Sequence, residues 1–382
     1  MTTLRGWSPR NTPDRAGCRP SLVRQVGERV RWGNGVTTKF MDRPAGDHRR
    51  AIPVVGGGRA WVIIAWLLVL CVTDAGALEC GWWVAADGAV LREAVWSLEG
   101  EPTGTLLLLP GHQEFAEKYA ELANWAVSGH WEARLLEWRG QGLSDRVLND
   151  SQKAHHADFA VPARDLADWL AQRGETFARP LIVVAHSLGA HLALRALVDQ
   201  PRTPIDGLVL SAPMLMPSTR PFPSAVARRI AALAVRLGLG ERYALGQGPY
   251  SRDSHRFEGN PVTTDRRRWA VHHDYFKDRP ELVLGGATWA WLDAAQRSWR
   301  IIDDRAPDAV RVPVLILSAP DDRMVVSRLH SGFCSRLEDC ELVEFPGARH
   351  ELFMEADGHR QRVLEHVQRF LDHRFPAGQQ AR

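Results

Sequence analysis

Three short stretches hold the side chains best suited to chemistry. They are Ser187 within Leu181-Ile182-Val183-Val184-Ala185-His186-Ser187-Leu188-Gly189-Ala190, the acids of Pro320-Asp321-Asp322-Arg323-Met324, and His350 within Gly347-Ala348-Arg349-His350-Glu351. An apolar strand that runs into a serine and straight out into a helix has the pattern of a nucleophile elbow, a sharp turn that lifts the hydroxyl above a sheet edge. A serine hydroxyl is a weak nucleophile until a base takes its proton, and that base needs a carboxylate to hold its tautomer. The order Ser, acid, His along the chain supplies both. His350 is the expected base. Asp322 is the expected orienting acid because it directly precedes Arg323-Met324-Val325-Val326, with Asp321 as the rival carboxylate.

Acyl transfer also needs two backbone N–H donors aimed at the developing oxyanion, each worth about 3 kcal/mol when removed. Leu188, next after the serine, is expected to supply one. The turn Leu109-Pro110-Gly111-His112-Gln113-Glu114 is expected to supply the other through the His112 N–H.

These residues need a scaffold, and the hydropathy pattern describes one. Trp82 to Val84 and Val90 to Trp96 read as a hairpin joined through Asp87-Gly88. Continuously apolar runs at Thr105 to Leu109, Ala133 to Leu136, Leu181 to Val184, Leu208 to Leu210 and Val314 to Leu317 read as strands buried on both faces. Helical stretches at Glu117 to Val127, Phe159 to Gln172 and Leu188 to Val198 alternate with them, which predicts an α/β fold with a mostly parallel sheet and helices on both faces. The alternation breaks at about 216–310. An insertion of that size is expected to be a helical cap over the C-terminal sheet edge.

Composition sets the outer bounds. In 382 residues, 45% hydrophobic and 24% charged, the chain is an ordinary globular protein, and collagenous, wholly disordered and multi-span membrane classes are excluded. The net charge of +3 gives no case for nucleic acid. It divides into +8 over residues 1–59 and −5 over the remainder. Residues 1–58 read as a disordered basic leader, and 59–80 as an apolar segment with the shape of a signal peptide or anchor. If Met41 is the start and 60–77 a signal, the protein is exported; otherwise it is cytoplasmic or inner-membrane associated. The hydrolase-like domain is expected over 81–375.

The stretches 109–119, 137–146, 153–159, 285–292 and 347–357 resemble the bacterial lysophospholipase L2 and monoglyceride lipase branch of the α/β-hydrolases. The resemblance implies an esterase with a Ser-His-Asp triad, a mobile cap and no cofactor. The chain departs from that pattern at Ala185 in place of the first elbow glycine, at Glu137 in place of Asp, and at His112 where close relatives often carry Arg.

The expected activity is hydrolysis of carboxylic esters of single-chain lipids, a lysophospholipid or a monoacylglycerol, through an acyl-enzyme. A small-ester or aminopeptidase-like hydrolase on the same fold and a catalytically silent lipid-binding protein are the alternatives. Trp269, Trp289, Trp291 and Trp299 either line an acyl groove or pack the cap. Val226, Ile230, Leu233 and Leu237 share one helical face, expected to pack within the cap, or else to form with Arg228, Arg229 and Arg236 a basic surface for peripheral membrane contact. No metal site is expected: adjacent His155 and His156 point apart, and Cys334 and Cys340 read as two free thiols unless the compartment is oxidising.

Overall fold

The computed structural model describes residues 78–376. The leader and most of the apolar segment, including Met41 and 60–77, lie outside the described residues.

Among the described residues, eight strands form one sheet in the order β1-β2-β4-β3-β5-β6-β7-β8. They are β1 (Leu78–Val84), β2 (Val90–Trp96), β3 (Gly104–Leu109), β4 (Trp131–Leu136), β5 (Leu181–His186), β6 (Gly207–Ser211), β7 (Val314–Ser318) and β8 (Cys340–Glu344). The β1–β2 hairpin pairs antiparallel and β2 meets β4 antiparallel, while every pair from β4 to β8 is parallel. This is the doubly covered, mostly parallel sheet that the apolar runs predict.

The period of two along each central strand divides the core. Leu107, Leu109, Val183, Ala185, Leu208, Leu210 and Ile316 face one side, where they pack with helices α2 (Ala160–Arg173) and α3 (Leu188–Asp199). Leu106, Leu108, Ile182, Val184, Val209, Leu315 and Leu317 face the other, against α1 (Ala120–Ser128) and the last helix, α8 (Asp357–Arg374). Because both faces are dry, alternate residues need not be polar, which is why the strands read as unbroken apolar runs.

Between β6 and β7 lie α4 (Ser224–Arg236), α5 (Arg266–Asp278) and α6 (Trp289–Ala309). The inner face of α6, with Ala294, Trp299, Ile302 and Ala306, joins the core on the α3 side of the sheet. Trp299 is therefore a packing residue, its ring 5.7 Å from Phe333 in α7 (Leu329–Cys334).

Two expectations are corrected. The apolar stripe of α4 does not pack within the insertion: Val226, Ile230, Leu233 and Leu237 are 42, 39, 56 and 64% exposed. The helix instead buries Ala231 and Ala234, whose small side chains permit a close approach, and this turns the larger residues to solvent. Cys334 and Cys340 are not free thiols but a disulfide with a Cα–Cα distance of 5.4 Å, linking the end of α7 to the start of β8.

Candidate active site

Strand β5 delivers Ser187 to the C-terminal edge of the sheet. The residue stands at φ 50°, ψ −111°, a positive φ that a non-glycine residue adopts only when its surroundings hold it there. They do so through the backbone: the Ser187 N–H donates to Ser211 O at 3.0 Å, and its carbonyl accepts from Met214 N at 3.0 Å and His191 N at 3.2 Å. Ala185, which replaces the usual glycine, is fully buried in register with Leu109. The methyl is therefore accommodated.

His350 reaches the serine from the loop after β8. Its Nε2 lies 2.9 Å from Ser187 Oγ and its Nδ1 2.6 Å from Asp322 Oδ2. The neutral imidazole thus donates Nδ1–H to the carboxylate and accepts the serine proton at Nε2. The other oxygen of Asp322 accepts from the N–H groups of Met324 at 2.7 Å and Val325 at 3.1 Å. Asp321 is exposed and Asp322 buried, so the carboxylate beside the imidazole is Asp322.

Charge follows geometry. Burial alone would raise the Asp322 pKa, but the neighbouring His350, their hydrogen bond and the two backbone N–H groups hold it below the ordinary carboxylate value. Burial alone would lower His350, yet the Asp322 charge and hydrogen bond, with lesser help from Glu351 and Glu114, hold it above the ordinary imidazole value. A base strengthened in this way suits proton abstraction from a hydroxyl.

The N–H groups of His112 and Leu188 donate to no protein acceptor among the described residues. His112 lies in the turn after β3, and Leu188 opens α3 directly after Ser187. The His112 side chain lines, with Ser187 and His350, the cavity above the serine, its ring 5.4 Å from Trp291, and burial pushes its pKa down to about 4, so it is neutral near pH 7.

Several residues that hold the turn after β3 were not legible as functional in the sequence. Trp138 Nε1 donates to Pro110 O at 2.8 Å, and Gln141 Nε2 donates to Gly111 O at 2.8 Å and Glu114 O at 3.2 Å. Glu137 accepts from the N–H groups of Ala116 and Leu143 and from the fully buried Arg92 guanidinium. Gln113 Nε2 donates to the carbonyls of Leu284 and Gly285, both at 2.9 Å, and so ties the turn to the segment before α6. The sequence signals are that 109–119 and 137–146 belong to the family-like stretches and that Glu137 stands in place of their usual Asp.

Above Ser187 opens a cavity of about 610 Å³. Met214, Trp269, Trp291 and Leu292 give it apolar walls, while His255, His272, His273 and Arg256 give it a polar side. His155 does not face a ligand set: its Nδ1 meets Thr288 Oγ1 at 3.0 Å. Among the described residues, no group of three or more His, Cys, Asp or Glu could hold a metal ion.

Residues 100–357 match the family model described as serine aminopeptidase, S33. The chain belongs to that family. This hydrolase is 29% identical over 284 residues to lysophospholipase L2 of Escherichia coli K12, an alignment covering 72% of this chain and 82% of the relative. It is 28% identical to the probable lysophospholipase L2 of Haemophilus influenzae, covering 70% and 83%. Among solved structures, a soluble variant of monoglyceride lipase from Saccharomyces cerevisiae superimposes with a TM-score of 0.60 at 19% identity, over 78% of this chain and 97% of that one. That likeness establishes the α/β-hydrolase fold.

Proposed function

We propose that this protein hydrolyses carboxylic esters of single-chain lipids, a lysophospholipid or monoacylglycerol, through an acyl-enzyme. The observation that carries the reading is the continuous hydrogen-bonded line from Asp322 through His350 to Ser187 at the floor of a Trp-lined cavity. Ser187 Oγ attacks the acyl carbonyl as its proton passes to His350 Nε2, and Asp322 stabilises the imidazolium. The N–H groups of His112 and Leu188 receive the oxyanion. His350 then returns the proton to the leaving alcohol, and water, deprotonated by the same imidazole, cleaves the acyl-enzyme. No cofactor takes part in this sequence. The names of the bacterial relatives support the lipid class.

The segment between β6 and β7 acts as the cap, and its outer surface meets the membrane that holds the substrate. The exposed stripe of α4, continued by Phe222 at 43% exposure, presents apolar side chains beside the exposed Arg229 and Arg236, a combination suited to an anionic lipid interface.

A fluorophosphonate should label wild-type protein at Ser187 and not Ser187→Ala. Turnover should favour lysophospholipid or monoacylglycerol over peptide amides and short p-nitrophenyl esters. Peptide preference would transfer the reading to an aminopeptidase-like hydrolase, and a folded protein without label to a silent lipid binder.

A further inference from the structure

Behind the turn that carries His112 lies a buried ion cluster whose members take no proton-transfer step in the triad chemistry. Lys118 Nζ stands 2.8 Å from Glu114 Oε1 and 2.8 Å from Glu351 Oε1, with its own side chain 2% exposed. The second oxygen of Glu114 accepts from the Gly111 N–H and from the Tyr119 hydroxyl, each at 2.5 Å. Burial would raise the Glu114 pKa, but Lys118, His186 and the Tyr119 hydrogen bond hold it well below the carboxylate range. The adjoining void is about 20 Å³, room for no more than a water molecule. The cluster is therefore not a ligand site.

Stability does not explain it either. Desolvating charges offsets most of their attraction, and apolar residues of the same volume often pack as well. What distinguishes the cluster is where it ends. One end holds the Gly111 N–H, one residue before His112, and the other holds Glu351, one residue after His350. Between them His186 packs against both: its ring lies 4.7 Å from that of His350, and a Cβ on Gly111 would stand 2.7 Å from His186 Cδ2.

We propose that Glu114 is a positioning residue for ester hydrolysis, coupled through Lys118 to Glu351, so that one buried cluster sets both the His112 N–H and His350 around Ser187. This rests on the serine-hydrolase reading above. An oxyanion donor is useful only within a few tenths of an ångström of its place, and its contribution appears in the transition state rather than in substrate binding.

The test measures kcat and KM on a p-nitrophenyl ester per active site titrated to completion with fluorophosphonate, in the full chain. Glu114→Ala should lower kcat by about a hundredfold and Glu114→Gln by about tenfold, with KM within about threefold of wild type. Gln is the milder change because its single carbonyl oxygen can still accept from Gly111 N–H, although it cannot also pair with Lys118. Titration counts only folded sites, so loss of fold alone would reduce the titre and leave kcat unmoved. Glu114 variants within twofold of wild-type kcat overturn the proposal, as does a failure of both to fold, which would make the cluster purely structural. If Glu114→Ala alone fails to fold, Glu114→Gln decides. An unlabelled wild type instead sinks the serine-hydrolase reading, and this proposal with it.

Discussion

Gly189 lies against Leu109 so closely that a Cβ built on it would stand 2.3 Å from the Leu109 carbonyl oxygen and 2.8 Å from that of Pro110. Both obstacles are backbone. Gly189→Ala must therefore push the first turn of α3 away from the end of β3, the two segments that carry the Leu188 and His112 N–H groups. Overpacking of this kind costs about 1–3 kcal/mol, and displacement of a proposed oxyanion donor should cost about a hundredfold in kcat. Urea unfolding and ester turnover together check this. Unchanged turnover would show that the strand–helix contact does not set the oxyanion geometry.

The His350–Asp322 pair predicts the pH dependence. In the proposed mechanism the base works as neutral imidazole, and the folded-state pKa of His350 is raised, so log kcat/KM should climb with pH and level off above the ordinary imidazole value of about 6.5. Asp322→Asn removes the charge that raises His350 and leaves burial to depress it. The acid limb should move to lower pH while kcat falls by about 10⁴-fold. A limb that stays in place would mean that Asp322 does not govern the base.

The Cys334–Cys340 disulfide closes a short loop, six residues apart in sequence, between α7 and β8. Loop-closure entropy for so small a ring gives about 2 kcal/mol. Cys334→Ala with Cys340→Ala should lower the urea midpoint accordingly, and dithiothreitol should do the same to wild type but not to the double variant. An unchanged midpoint in both experiments would leave the bond without a stabilising role.

Much of this organisation was legible in the sequence, for identifiable reasons. Strands buried on both faces announce themselves as apolar runs, and Ser187, Asp322 and His350 stand in short motifs whose neighbours report local geometry. The Glu114–Lys118–Glu351 cluster was not legible, because its meaning depends on Glu351 returning 233 residues later to Lys118. The α4 stripe departs from its expectation for a different reason. A period of 3.6 identifies an apolar face but does not say whether protein or solvent lies opposite, and here Ala231 and Ala234 take the buried side. The cysteine spacing reads as two thiols unless the compartment is oxidising, and the spacing itself does not carry the compartment.

That outward stripe yields the last prediction. Ile230 and Leu233 lie in the middle of the exposed face of α4, away from the residues that line the cavity. Substitution at exposed positions costs about 0.5 kcal/mol or less, so Ile230→Asp with Leu233→Asp should keep the wild-type melting temperature and its turnover of a water-soluble ester. Two carboxylates in the centre of the stripe remove apolar contact and repel anionic headgroups. Co-sedimentation with phosphatidylglycerol vesicles should therefore fall by roughly tenfold or more, and turnover of vesicle-borne substrate should fall with it. Replacing Arg229 and Arg236 with Gln should weaken the same binding by about 1 kcal/mol per charge, and the difference should shrink as salt rises. If sedimentation is indifferent to both sets of changes, α4 does not face the membrane, and its apolar stripe has another partner.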